Sequence, residues 1–162
     1  MTKQRLFPSL AGLSVLGVVA VVQGGGRIAL DQLPVAAREA LIQLAGGATI
    51  TEVEQENKHG MALYEAEWKV NGHEAEAVVT ADGHLVEMEE EIDASALPPN
   101  VAAVVAQQFP GATNIEYEKV MVTVYEIEAK INGVEKEIQV LATGKIIGQE
   151  EEDDDGADDD DN

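Results

Sequence analysis

The side chains best equipped for chemistry in this sequence are carboxylates, and they come in pairs two residues apart. Glu65 and Glu67 recur as Glu126 and Glu128, and Glu74 and Glu76 recur as Glu135 and Glu137. A spacing of two puts both members on one side of an extended strand, so these eight glutamates form a candidate acidic face. Paired carboxylates can serve general acid–base catalysis, ligation of a hard cation, or docking of a basic partner. Catalysis needs one carboxyl in a dry pocket that raises its pKa, and an open polar sheet face is expected to offer none. Docking of a cationic protein and weak calcium binding are therefore the functional expectations, set beside a merely solvated face. A second acidic candidate lies near the end of the chain. Glu151, Asp153, Asp155 and Gly156 fall at positions 1, 3, 5 and 6 of an EF-hand-type loop. Position 12 would be Asn162 rather than a bidentate glutamate, so the match supports only weak Ca²⁺ ligation.

Other reactive groups are sparse. His59, His73 and His84 are the three histidines; His73 follows an Asn-Gly turn and His84 an Asp-Gly turn at the opposite end of the sheet, which reads as exposed turn histidines rather than a metal site. Ser95 is the one serine after residue 26, with no histidine expected near it. No Gly-x-Ser-x-Gly, phosphate-binding glycine loop or HExxH motif occurs. The absence of cysteine removes disulfides, thiolate nucleophiles and Cys-ligated metals. No catalytic residue and no cofactor is assigned, and the chain is expected not to be an enzyme. Its 10 basic against 31 acidic residues give a net charge of −21, which phosphate backbones repel, so nucleic acid is excluded as a partner.

Segments of contrasting composition position these groups. Residues 1–26 carry Lys3 and Arg5 before an uncharged run from Leu6 to Gln23, the pattern of a signal peptide or N-terminal anchor. A periplasmic or secreted location is expected, with membrane contact only through this segment if it is uncleaved. Residues 150–162 are almost entirely Asp and Glu, a disordered acidic tail by composition.

Between them the sequence repeats itself, in units expected over 30–92 and 93–149. Leu33-Pro34 recurs as Leu97-Pro98, and Gly47-Ala48-Thr49 as Gly111-Ala112-Thr113, both at one offset. After a three-residue shortening a smaller offset takes over: Tyr64 matches Tyr125, Asn71-Gly72 matches Asn132-Gly133, and Gly83 matches Gly144. Val101, Val104, Val105 and Phe109 share one helical face, as do Ala37, Leu41, Leu44 and Ala45. Tyr64, Ala66, Trp68 and Val70 alternate with Glu65, Glu67 and Lys69, and Tyr125, Ile127, Ala129 and Ile131 with Glu126, Glu128 and Lys130. That alternation specifies strands with one dry and one wet face. Asn-Gly supplies a two-residue hairpin turn in each unit. The expected fold is α+β: two tandem repeats, each a short helix followed by a four-stranded antiparallel meander, with the helix packed on one sheet face.

The strings YEAEWKVNGHEAEAVVTADGHLVE (64–87) and YEIEAKINGVEKEIQVLATGKII (125–147) resemble PepSY and PepSY-like domains. The resemblance covers about residues 30–150 in two copies and rests on turn glycines and strand alternation. That family is similar in plan to the tandem-domain β-lactamase inhibitor fold. The resemblance implies a non-enzymatic, extracytoplasmic binding or inhibitory module acting on another protein, a peptidase or other hydrolase being the candidate class. A calcium-responsive or cation-buffering envelope protein is the alternative.

Overall fold

The computed structural model describes residues 26–58 and 60–152. The N-terminal signal or anchor, His59, Asp153, Asp155 and the rest of the acidic tail lie outside the described residues, as does the side chain of Glu151. Among the described residues nine strands and two α-helices follow one another. They are β1 (Gly26–Arg27), α1 (Val35–Leu44), β2 (Glu52–Lys58), β3 (Met61–Val70), β4 (His73–Thr80), β5 (Leu85–Glu91), α2 (Pro99–Gln108), β6 (Glu118–Val122), β7 (Val124–Ile131), β8 (Val134–Leu141) and β9 (Ile146–Glu152). The fold is α+β. β1 to β6 form an antiparallel sheet in sequential order, and β7, β8 and β9 form a second antiparallel sheet.

The hairpins arise where the sequence allows positive φ. Asn71 and Gly72 sit at φ 53° and 92°, and Asn132 and Gly133 at 55° and 92°, the geometry of a two-residue turn that matches strand twist. α1 lies on the face that carries Tyr64, Trp68 and Val79, and its Ala37 and Leu41 are fully buried there. Ala66, Ala75 and Ala77 line the same core, so small side chains on the strands make room for one tryptophan. Among the described residues no helix is long and apolar enough to cross a membrane.

The second half departs from expectation. A separate four-stranded meander with its own helix does not form. The cause is the three-residue shortening: position 58 corresponds to 122 and position 62 to 123, so residues 59–61, the turn between β2 and β3, have no counterpart. Without that turn β6 runs into β7 through Thr123 alone. β6 instead pairs with β5, Glu87 opposite Val122 and Glu91 opposite Glu118, and Thr123 N–H donates to Val86 O at 3.0 Å. The aromatic and aliphatic faces accordingly part company. Tyr64 and Trp68 are buried, whereas Tyr125 and Ile127 are 45% and 43% exposed, contrary to the expectation that all four lie beneath helices. α2 buries none of its residues.

One turn reports how closely α1 is seated. Gly83 has φ +85°, and a Cβ there would come within 2.8 Å of Ala36 O in α1. Its counterpart Gly144, φ +78°, has nothing within 4 Å. Gly83→Ala therefore combines left-handed strain with a backbone clash and is expected to cost about 2–3 kcal/mol, against about 1 kcal/mol for Gly144→Ala. Urea unfolding of the two variants, read by circular dichroism, compares them directly.

Candidate functional site

In the first sheet the glutamates lie on the face turned away from α1, and their counterparts share one face of the second sheet. Strand pairing sets Glu67 opposite Glu76 and Glu128 opposite Glu137, with Glu65 and Glu126 two residues along the same strands. In each half three carboxylates converge: oxygens of Glu65, Glu67 and Glu76 lie within 4.8 Å of one another, as do those of Glu126, Glu128 and Glu137. That spacing is what oxygens about 2.4 Å from a shared calcium would show. The other two candidates stand apart. Glu74 accepts from Lys69 Nζ at 3.2 Å and Glu135 from Lys130 Nζ at 3.3 Å, near the hairpin ends.

The first triad is not an open polar surface, which overturns the expectation that this face desolvates no carboxyl. Leu63, Val78 and Val86 form a second apolar cluster on the glutamate side, with Met61 and Ala142 packed against it. Glu65, next to Leu63 on that face, is buried. Burial, reinforced by the negative charge of Glu56, pushes its pKa up to about 7. Burial and the neighbouring Glu65 push Glu76 up to about 8. Glu67 is raised as well, by desolvation and then by Glu52 and Glu74. In the second half Gln139 stands where Val78 does, and its amide donates to Glu126 Oε2 at 3.2 Å. Glu137 is raised too, through desolvation and the charges of Glu126, Glu150 and Glu128.

Two features of this face escape a reading of the strand pattern. Glu56 and Lys58 make a largely buried ion pair at 2.7 Å, and Lys58 is the cation that offsets the charge of Glu65 and Glu87. Glu87 is itself buried, and desolvation and Glu89 raise it to about 7. The signal lay in Val78-Val79 and Leu85-Val86, adjacent apolar residues that break the alternation. The ladder slips between Val78 and Val79, and Val86 is passed over, so an apolar side chain is delivered to the glutamate side.

The two described histidines lie beside turns. His73 lies 3.9 Å from Glu91 and 3.7 Å from Asp93, and His84 lies 3.3 Å from Asp82, next to β5. The hydroxyl of Thr80 donates to the Asp82 carboxylate and holds its pKa below the usual range. Neither histidine belongs to a carboxylate triad.

No protein-family model matches the chain, and no curated protein matches it. Solved structures do show similarity. A DUF2874-family protein from Bacteroides uniformis is 16% identical, with a TM-score of 0.46 over 73% of this chain and 88% of the other. One from Bacteroides ovatus is 12% identical, with a TM-score of 0.46 over 75% and 89%. A third, described as a proposed calcium-regulated periplasmic protein of Bacteroides thetaiotaomicron, is 16% identical, with a TM-score of 0.36 over 78% and 96%. DUF2874 proteins are PepSY-like in plan.

Proposed function

We propose that this chain is a non-enzymatic periplasmic or secreted binding module whose acidic sheet face takes up calcium. The observation that carries the reading is the convergence of three carboxylates in each half, at the same strand positions. Holding these carboxylates together is costly, first through desolvation and then through like charge, and the cost is relieved either by protonation, as the raised pKa values of Glu65 and Glu76 express, or by a cation. Calcium prefers six to eight oxygen ligands, so water completes the shell around three glutamates, and affinity is expected in the weak extracellular range, Kd about 10⁻⁴–10⁻³ M. Calcium at about ten times its Kd then stabilises the fold by about 1.4 kcal/mol per site. Calorimetric titration and thermal melting test this. Millimolar calcium is expected to raise Tm, Glu67→Gln together with Glu128→Gln to remove the rise, and magnesium to do less. A Tm indifferent to calcium would end the proposal.

A second reading is supported by a shallow depression of about 350 Å³ lined by Glu128, Lys130, Glu135, Lys136, Glu137 and Glu150. There a protein partner, with a hydrolase as the candidate class, would place a basic side chain against the acidic face. Reversing Glu65, Glu67, Glu126 and Glu128 to lysine is expected to abolish capture of such a partner from an envelope extract. Undiminished capture would refute it.

A further inference from the structure

Nearly every element of the first half has a counterpart in the second. α2 follows α1 at the larger of the two repeat offsets, and β8 and β9 follow β4 and β5 at the smaller. The ladder slip between Val78 and Val79 returns between Gln139 and Val140. The strand that leads in recurs as well. Ile28 N–H donates to Val53 O at 3.0 Å, and Ile92 N–H to Tyr117 O at 2.9 Å, the larger offset again separating the two bonds. Gly26 faces Gln55 just as Glu90 faces Lys119. β5 is thus to β6 what β1 is to β2.

There the parallel stops. β2 carries β3 on its other edge, but the matching edge of β6 is vacant among the described residues. Among the same residues β7, the counterpart of β3, is bonded on one side only, to β8. The single residue Thr123 joins β6 to β7, too short a link for one to fold back on the other. Two complementary edges therefore belong to one chain and cannot meet within it. α2 is in the same position. Ala37 and Ala45 of the first half are buried on the sheet, while their counterparts Val101 and Phe109 are 40% and 60% exposed. The helix seat that Gly83 gives α1 is empty at Gly144.

We propose that a second copy of this chain fills both vacancies in a two-fold, strand-exchanged dimer. The β6–β7 strands of the two copies run antiparallel, and each α2 lies across the partner's β7 and β8. The register follows from the first half. Gln55 opposite Tyr64 and Glu54 opposite Glu65 become Lys119 opposite the partner's Tyr125 and Glu118 opposite the partner's Glu126. Val122 then faces its own twin, the axis passes beside it, and the contact closes at two copies instead of growing into a fibre. Exposed edges and apolar faces that would otherwise invite indiscriminate pairing are covered at once. The net charge of −21 on each copy opposes association, so the dimer tightens as salt screens it.

Light scattering on the full chain in about 0.5 M NaCl is expected to give twice 17.2 kDa at micromolar concentration. Tyr117 and Thr123 turn their backbone bonds toward β5, so alternation turns the Val120 N–H to the vacant edge. Val120→Pro should weaken the dimer at least about tenfold, close to 1.4 kcal/mol, with little change in the far-ultraviolet spectrum. The chain has no cysteine of its own. In Val122→Cys the two thiols would stand on Cα atoms about 5.5 Å apart and oxidise to a covalent dimer. Val35→Cys, on the exposed side of α1, should not. A strictly monomeric chain overturns the proposal and leaves the edge to a different protein. A dimer in which Val122→Cys fails to cross-link overturns it equally. If Val120→Pro fails to fold, the cysteine pair still decides.

Discussion

Replacing Trp68 with alanine is expected to remove about 3–5 kcal/mol of stability, the upper range for a core truncation. Trp68 is 1% exposed and is the largest of the fully buried side chains. Its surroundings explain the size of the effect. Ala37, Ala66, Ala75 and Ala77 share its cluster, and none can extend into the space the indole leaves. Where such neighbours leave the space unfilled, the cavity penalty adds to the lost transfer free energy. Small domains keep only about 5–15 kcal/mol in hand, and this variant gives up a large share of it. The midpoint of urea unfolding, followed by far-ultraviolet circular dichroism because the only tryptophan is gone, measures the loss. A change below about 1 kcal/mol would mean that the helix does not rest on this residue.

Acidification from pH 8 to pH 5 is expected to stabilise the chain, the reverse of ordinary acid denaturation. Glu65 and Glu87 are raised to about 7 and Glu76 to about 8, from an ordinary value of 4.5. The native state therefore binds these protons more tightly than the unfolded chain does. The contribution is complete below about pH 4.5 and is lost as pH rises through 7 and 8. Neutralising one carboxyl relieves its neighbours, and the face is partly wet, so the group as a whole contributes on the order of 2–4 kcal/mol, less than three independent shifts at 1.36 kcal/mol per unit. Melting temperatures across that interval measure the slope, and Glu65→Gln with Glu76→Gln should flatten it. Calcium at pH 8 should flatten it too, because the ion and the protons compete for the same oxygens. A Tm that falls steadily between pH 8 and pH 5 would contradict the burial of these glutamates.

Much of this architecture can be read from particular residues. Asn71-Gly72 and Asn132-Gly133 mark both hairpins, the alternation around Trp68 separates core from solvent, and Pro34 and Pro98 stand immediately before α1 and α2. The convergence of Glu65, Glu67 and Glu76 follows from spacing two on β3 and antiparallel pairing with β4. What periodicity does not convey is which strand lies beside which. A period of two orients side chains, but adjacency depends on the turn, and removing the counterparts of residues 59–61 redirects a strand to another neighbour while its alternation stays the same. The burial of Glu65 was equally hidden, because the ladder slip at Val78 puts apolar groups on a face that otherwise reads as polar.

The near absence of slack at Thr123 has a dynamic consequence. β6 and β7 form an almost uninterrupted extended segment, yet one end is fastened to a sheet covered by α1 and the other to a sheet against which α2, among the described residues, buries nothing. Local opening is governed by the cover over each ladder, not by continuity of the backbone. In the single chain, amide hydrogens of β3 and β4 should therefore exchange slowest and those of β7 to β9 much sooner. The boundary between slow and fast should fall abruptly within a few residues of Thr123, in the middle of what a backbone trace draws as one strand.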